Sequence, residues 1–304
     1  MLQRVVALGI AWSLLGSLSQ ADDRSAIAAL EAAGAVVKRD DGQKERPVIS
    51  VSYFLRQVTP EGIPALKELE TLPAIEFVGS GDTEVTPAML RALQGKPSLK
   101  RLSIAFAKVN DESAAILGTL KTLDSLQLQK QIEISPAGCE EVLKLTNLKD
   151  LTLSGRLVND YTLECAANCS KLKSLTIESV FVSDQGLQSL RRLRNLKTLR
   201  TYIGPEVTDL GLKYLADMNL TDLEITLLEV TNEKLKGYRK LGGLRSLKLV
   251  SAVKMTDESV PFVAELTELK ELDLSDASLT KAGIKELKKA LPGCKIVYDN
   301  IPRN

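Results

Sequence analysis

Hydrophobic positions along this chain repeat in a fixed pattern. From Leu172 to Leu193, a run of Leu172, Leu175 and Ile177 is followed by Val182, Leu187, Leu190 and Leu193, with Ser183, Asp184 and Gly186 between them. Aligning the first strand hydrophobe of each copy gives Val51, Ile75, Leu102, Leu126, Leu151, Leu175, Leu199, Leu223, Leu247 and Leu272, at spacings of 24, 27, 24, 25, 24, 24, 24, 24 and 25. Ten units in register make internal repetition the organising feature. Within each unit the period changes. Leu-x-Leu alternates with period 2, which suits a short strand, whereas Leu187, Leu190 and Leu193 recur every three residues, which suits one helical stripe. One unit cannot bury its strand and its helix alone. The units are therefore expected to stack into a solenoid with parallel strands on one face and short helices on the other.

The turn before each helix carries its own signal. Ser183 and Asp184 are placed to accept hydrogen bonds from the free amides of the first helical turn, and the carboxylate complements the positive end of the helix dipole. Asp111, Asp160, Asp184, Asp209 and Asp257 recur at this position. Helix capping explains the column, with calcium binding as the alternative. Gly186 lets its helix start close to the neighbouring unit.

On these residues the chain resembles the leucine-rich-repeat proteins. The Val182-Ser183-Asp184-x-Gly186-Leu187 segment is similar to the Ile-Thr-Asp-x-Gly-Leu segment of the cysteine-containing subclass, and residues 34–53, GAVVKRDDGQKERPVISVSY, resemble the opening module of secreted bacterial members. The resemblance implies an α/β fold, a right-handed βα horseshoe with strands concave and helices convex. It also implies non-catalytic recognition of a protein or peptide through the concave sheet. One family feature is missing. Where members place Asn, Cys or Thr in the bend after each strand, this chain has Arg56, Ala107, Gln131, Arg156, Val180, Gly204, Leu228, Ala252 and Ala277. Backbone groups in that bend must find other partners.

Residues 1–21 read as a secretory signal, with Arg4 before an apolar run from Val5 to Leu18 and a small-x-small site at Ser19-Gln20-Ala21. An uncleaved anchor is the alternative. The mature chain is expected to be secreted, periplasmic or held in the cell envelope, with no membrane insertion after cleavage. Residues 22–50 read as an N-terminal cap, 51–290 as about ten repeats and 291–304 as a C-terminal cap. In the first cap, Ala26–Ala33 is helical in pattern, and Ala35–Lys38 and Val48–Tyr53 are strand candidates around Asp40-Asp41-Gly42. The longest spacing places extra residues at Gly79-Ser80-Gly81-Asp82, a flexible loop where its strand ends.

Candidate chemistry is sparse. The chain has no histidine, which removes His-based acid–base catalysis, His-activated nucleophiles and the commonest transition-metal ligand. No cofactor, metal or enzymatic activity is expected. With 40 basic and 39 acidic residues, the net charge of +1 points to no nucleic-acid partner. Cys139, Cys165, Cys169 and Cys294 are read as unpaired thiols or as one disulfide. Cys139 and Cys169 fall in the core-facing slots of Leu187 and Leu193.

The strand face remains. The residue between the two strand hydrophobes runs Ser52, Glu76, Ser103, Gln127, Thr152, Thr176, Arg200, Glu224, Lys248 and Asp273. Its first half is mostly small and neutral, and its second half alternates in sign. Aromatic residues make up 4% of the chain, so Phe54 and Tyr202 near the strand ends, with Phe106 one place further, stand out. Tyr202 with Arg200, Thr176, Thr152, Glu224 and Leu227 forms the candidate contact patch, since Tyr and Arg are favoured binding anchors. An envelope component that binds polysaccharide or self-associates is the alternative. Nothing in the sequence names the ligand.

Overall fold

The computed structural model describes residues 23–298 apart from residues 45, 57–61, 130–133, 156–157, 180, 204–205, 228–230, 237–242 and 251. The segment read as a secretory signal lies outside them. Among the described residues, twelve strands form one sheet in chain order. β1 (Val36–Arg39) and β2 (Val48–Phe54) make an antiparallel hairpin. Every later pair is parallel: β3 (Ala74–Val78), β4 (Arg101–Ala105), β5 (Ser125–Gln129), β6 (Asp150–Ser154), β7 (Ser174–Glu178), β8 (Thr198–Ile203), β9 (Asp222–Leu227), β10 (Ser246–Val250), β11 (Glu271–Asp273) and β12 (Lys295–Val297). The register joins all ten aligned hydrophobes from Val51 to Leu272 in one row and adds Ile296 of β12.

Parallel neighbours require a crossover, and a helix supplies most of it. After α1 (23–32) come α2 (Gly62–Glu68), α3 (Pro87–Arg91), α4 (Asp111–Leu117), α5 (Pro136–Val142), α6 (Asp160–Ala166), α7 (Asp184–Leu190), α8 (Asp209–Ala216), α9 (Asn232–Leu235), α10 (Val260–Ala264) and α11 (Lys281–Ala290). Between sheet and helices runs one aliphatic core. In a single unit Leu172, Leu175, Ile177, Val182, Leu187 and Leu190 are fully buried, each contributing about 1.5–3 kcal/mol relative to exposure. At the first end, Ala26, Ile27 and Leu30 of α1 join this core. There the Tyr53 hydroxyl donates to the Gly62 carbonyl at 2.9 Å, and burial holds its pKa above the usual phenol range.

Helix capping divides between two residues differently from the sequence expectation. In four of these units the residue before the helix caps it: Asn110 accepts from the Ser113 amide, Asn159 from Thr162, Ser183 from Gln185 and Thr208 from Leu210. The aspartate that follows reaches instead into the next unit. Asp160 accepts from the Ser183 amide at 2.7 Å, Asp184 from the Thr208 and Gly211 amides at 2.8 and 2.9 Å, Asp257 from Thr280 at 2.9 Å and Asp111 from Ser135 at 2.8 Å. The Asp209 side chain lies outside the described ones. These carboxylates clasp neighbouring units together.

The clasp explains the repeat glycine. A Cβ at Gly138, Gly186, Gly211 or Gly283 would meet the preceding unit's carboxylate oxygen at 2.3, 2.4, 2.3 or 2.2 Å. Where the preceding unit has Pro87, Pro136 or Asn232 in place of the aspartate, the glycine slot holds Ser113, Thr162 or Ser259.

In the bend after the strands, main-chain carbonyls replace the missing side-chain ladder. The Leu55 amide donates to the Val78 carbonyl at 2.9 Å, Gly79 to Ala105 at 2.8 Å and Phe106 to Gln129 at 2.9 Å. Ala107 and Ala252 are fully buried there.

Candidate functional site

Strand alternation exposes every second residue, so two more columns flank the one singled out from sequence. On the second half of the sheet the exposed face begins with Thr198, Asp222, Ser246 and Glu271, continues with Arg200, Glu224, Lys248 and Asp273, and extends in β8 to Tyr202. The eight residues of the first two columns line a depression of about 540 Å³ over β8–β11. A shallower one of about 270 Å³ lies over β2–β5, between Ser50, Ser52, Glu76, Arg101, Ser103 and Gln127. Both lie on the strand face.

Four of the six candidate residues occupy one row. Thr152, Thr176, Arg200 and Glu224 are register partners on successive strands β6 to β9. Arg200 Nε lies 3.5 Å from Glu224 Oε2, and Lys248 Nζ lies 3.5 Å from Glu224 Oε1. Glu224 is thus bracketed by two cations, as the alternating signs predict. These groups are partly exposed, where such pairs contribute about 0–1 kcal/mol. Tyr202 sits two residues beyond Arg200 and is half-buried. Its register partners are Glu178 and Thr226, whereas Leu227 pairs with Ile203. The Leu227 side chain lies outside the described ones.

Sequence reasoning missed the column that contains Asp222 and Glu271, although period 2 places it on the same face. Asp222 accepts from the Thr221 hydroxyl at 2.8 Å, Glu271 from Lys295 at 2.9 Å, and Asp273 from Ser275. Four carboxylates and two cations therefore line the depression. Directly behind it, Thr201 is buried with no partner for its hydroxyl, in a slot that holds Phe77, Ile104, Leu128, Leu153 and Ile177 in other units.

At the other end of the sheet, Phe54 and Phe106 are exposed beside the lengthened turn. That turn is tied down. The Gly81 amide donates to the Phe106 carbonyl at 2.6 Å, the Ser80 hydroxyl to Asp82 at 2.7 Å, and Arg56 to Asp82 at 2.9 Å. Ser80 and Arg56 hold the Asp82 carboxyl below its ordinary pKa. The flexible loop expected from sequence is a bonded turn.

All four cysteines are free. Cys169 is fully buried, its thiol 3.7 Å from the carbonyls of Leu143 and Leu145. Cys139 is half-buried, more open than its core-facing slot predicts. Burial pushes its pKa up to about 12. Among the described residues no group of three or more His, Cys, Asp or Glu side chains is placed to hold a metal ion.

No protein-family model matches the chain, and no curated protein matches it. Solved structures do. An internalin of Listeria monocytogenes, InlF, superposes with a TM-score of 0.53 at 16% identity over 92% of this chain and 90% of that one. Internalin C2 of the same organism gives 0.43 at 21% identity over 71% and 84%. The InlF likeness extends over nearly the whole of both chains and shows the fold: this chain is a leucine-rich-repeat solenoid.

Proposed function

We propose that this chain is a non-catalytic, extracytoplasmic binding protein that recognises a protein or peptide through the strand face of the solenoid. The observation that carries the reading is the depression over β8–β11, whose floor holds the Arg200–Glu224 pair beside the half-exposed Tyr202. A rigid face of parallel strands suits recognition of an extended surface, and Tyr and Arg are the side chains most often found as binding anchors. Thr152 and Thr176 continue the row with neutral hydroxyls, and Leu227 lies at the end of β9. The secretory pattern in residues 1–21 supports a location outside the cytoplasm. Fold alone does not assign function, so the reading rests on this site.

Crosslinking the mature chain in its own envelope tests it, with a Tyr202→Ala, Arg200→Ala variant alongside. A single saturable protein partner, bound at least about tenfold more weakly by the variant, is the expected result. An unchanged partner profile in the variant would place recognition elsewhere.

A second reading has its own observation. The shallower depression over β2–β5 is lined by Ser50, Ser52, Ser103, Ser125 and Gln127. These hydroxyl and amide groups, with Glu76 and Arg101 among them, suit a polysaccharide, as in a structural component of the envelope. Capture of wall polymer alone by both forms would favour that role.

A further inference from the structure

Balanced totals conceal a segregated charge. Residues 167–200 contain seven basic side chains, Lys171, Lys173, Arg191, Arg192, Arg194, Lys197 and Arg200, against two acidic ones, Glu178 and Asp184. The fold separates these two from the cations. Asp184 is engaged in its clasp to Thr208 and Gly211, and Glu178 lies at the far end of β7.

The cations collect where the strands begin. The Lys173 amide donates to the Lys149 carbonyl at 2.7 Å and the Lys197 amide to the Lys173 carbonyl at 2.9 Å. These hydrogen bonds stack the three lysines on successive turns, about 4.8 Å apart. Lys171 and Arg194 lie on the same turns, and Arg192 donates to the Glu164 carbonyl at 2.6 Å across α6 and α7. All six are exposed. Lys149 lies 3.2 Å from Asp124. Among the described residues no carboxylate approaches within 4.0 Å of Lys171, Lys173, Arg192, Arg194 or Lys197. Acidic residues adjoin the patch at its borders: Asp124 and Asp150 beside Lys149, Glu164 beside Arg192, and Asp222 opposite Thr198.

Like charges in register are unfavourable, and at this spacing they lie inside the screening length of about 8 Å at physiological salt. A polyanion laid along the turns relieves that repulsion at several cations at once. Its class follows from the surroundings. Stacking of nucleic-acid bases needs aromatic faces; Phe181, the only aromatic residue in 167–200, lies beyond the opposite end of β7, and the Tyr214 ring of α8 is covered by the Arg191 guanidinium 5.5 Å from its centroid. Lodging in a membrane needs exposed apolar side chains beside the cations, whereas Leu172, Leu193 and Leu196 of these turns are buried.

We infer that the turn edge formed by Lys149, Lys171, Lys173, Arg192, Arg194 and Lys197 binds an anionic polysaccharide chain. This surface is separate from the depression over β8–β11 and does not depend on the peptide-binding reading.

The test uses heparin as the probe, titrated against the full chain at several salt concentrations. The Lys173→Gln, Arg194→Gln, Lys197→Gln variant should keep its melting temperature and bind at least tenfold more weakly. Its slope of log affinity against log salt should fall by about three, one per cation removed. A Lys281→Gln, Lys285→Gln, Lys289→Gln variant on α11 removes the same charge elsewhere, and Tyr202→Ala alters the strand face. Both should bind heparin like the parent. Failure of the parent to bind at physiological salt would overturn the inference. So would equal weakening by the α11 control, loss in Tyr202→Ala, or tighter binding to duplex DNA or phosphatidylserine vesicles than to heparin.

Discussion

The α6–α7 junction and the α5–α6 junction follow one repeat plan and are held differently. At the first, Asp160 bonds to Ser183 of the next unit, and Gly186 leaves room for its carboxylate. At the second, Pro136 takes the place of the aspartate and Thr162 that of the glycine. Asn159 turns back on its own helix, accepting from the Thr162 amide at 3.2 Å while the Thr162 hydroxyl accepts from the Asn159 amide at 3.4 Å. That arrangement caps α6, and the link to α5 is made elsewhere, by the Tyr161 hydroxyl donating to Glu140. A cavity of about 40 Å³ lies in this junction, which lacks the aspartate clasp, between Ile134, Cys139, Val142 and Leu143 on one side and Val158 and Thr162 on the other. Where the following units bury Leu163 and Leu187, this one has the smaller Cys139. The comparison teaches that cohesion between units is set at two positions, the residue that opens each helix and its third residue.

The largest test of this rule is a substitution that helix propensity favours. Alanine at Gly186 should gain about 1 kcal/mol from propensity, yet its Cβ collides with the clasp. We expect Gly186→Ala to lower unfolding free energy by about 2–3 kcal/mol, the worth of hydrogen bonds to a charged group. Chemical denaturation measures this. The penalty should largely vanish in the Asp160→Ala background, giving a coupling above about 1 kcal/mol. A single variant as stable as the parent would break the rule.

Next comes Asp184→Ala, expected to cost about 1.5–3 kcal/mol because Thr208 and Gly211 lose a charged acceptor. The equivalent Asp111 adds a pH signature. Hydrogen bonds from Ser135 lower its pKa in the folded chain. Its contribution is therefore fully present above the unfolded carboxylate value and disappears as pH falls through the lowered folded value. Melting curves of parent and Asp111→Asn should differ at neutral pH and converge in acid.

The smallest effect concerns the unclasped junction. Cys139→Leu restores the side chain of the neighbouring units and fills the cavity, and should raise stability by about 1 kcal/mol. A loss of stability would mean that the space is needed.

The strand register was readable from Val51 to Leu272 because a period of two and a spacing near 24 leave one alignment that buries every aligned strand hydrophobe. The role of the aspartates was harder to read. A column at one repeat position looks the same whether each carboxylate closes on its own helix or on the next. The pairing that resolves it was present in most units: glycine follows aspartate at 111/138, 160/186, 184/211 and 257/283, serine or threonine follows proline or asparagine, and Asp209, followed by Lys234, is the exception. Composition concealed the basic edge, since near-equal totals say nothing about where each sign collects. The cysteines are free, the first of the two readings the sequence allowed.

Native-state hydrogen exchange tests most directly whether the clasp sets cohesion between units. The amides of α6, α7 and α8 should open together, at a free energy at least about 1 kcal/mol above that of α5, which should detach from α6 as a local opening. Equal protection of α5 and α7 would contradict the account.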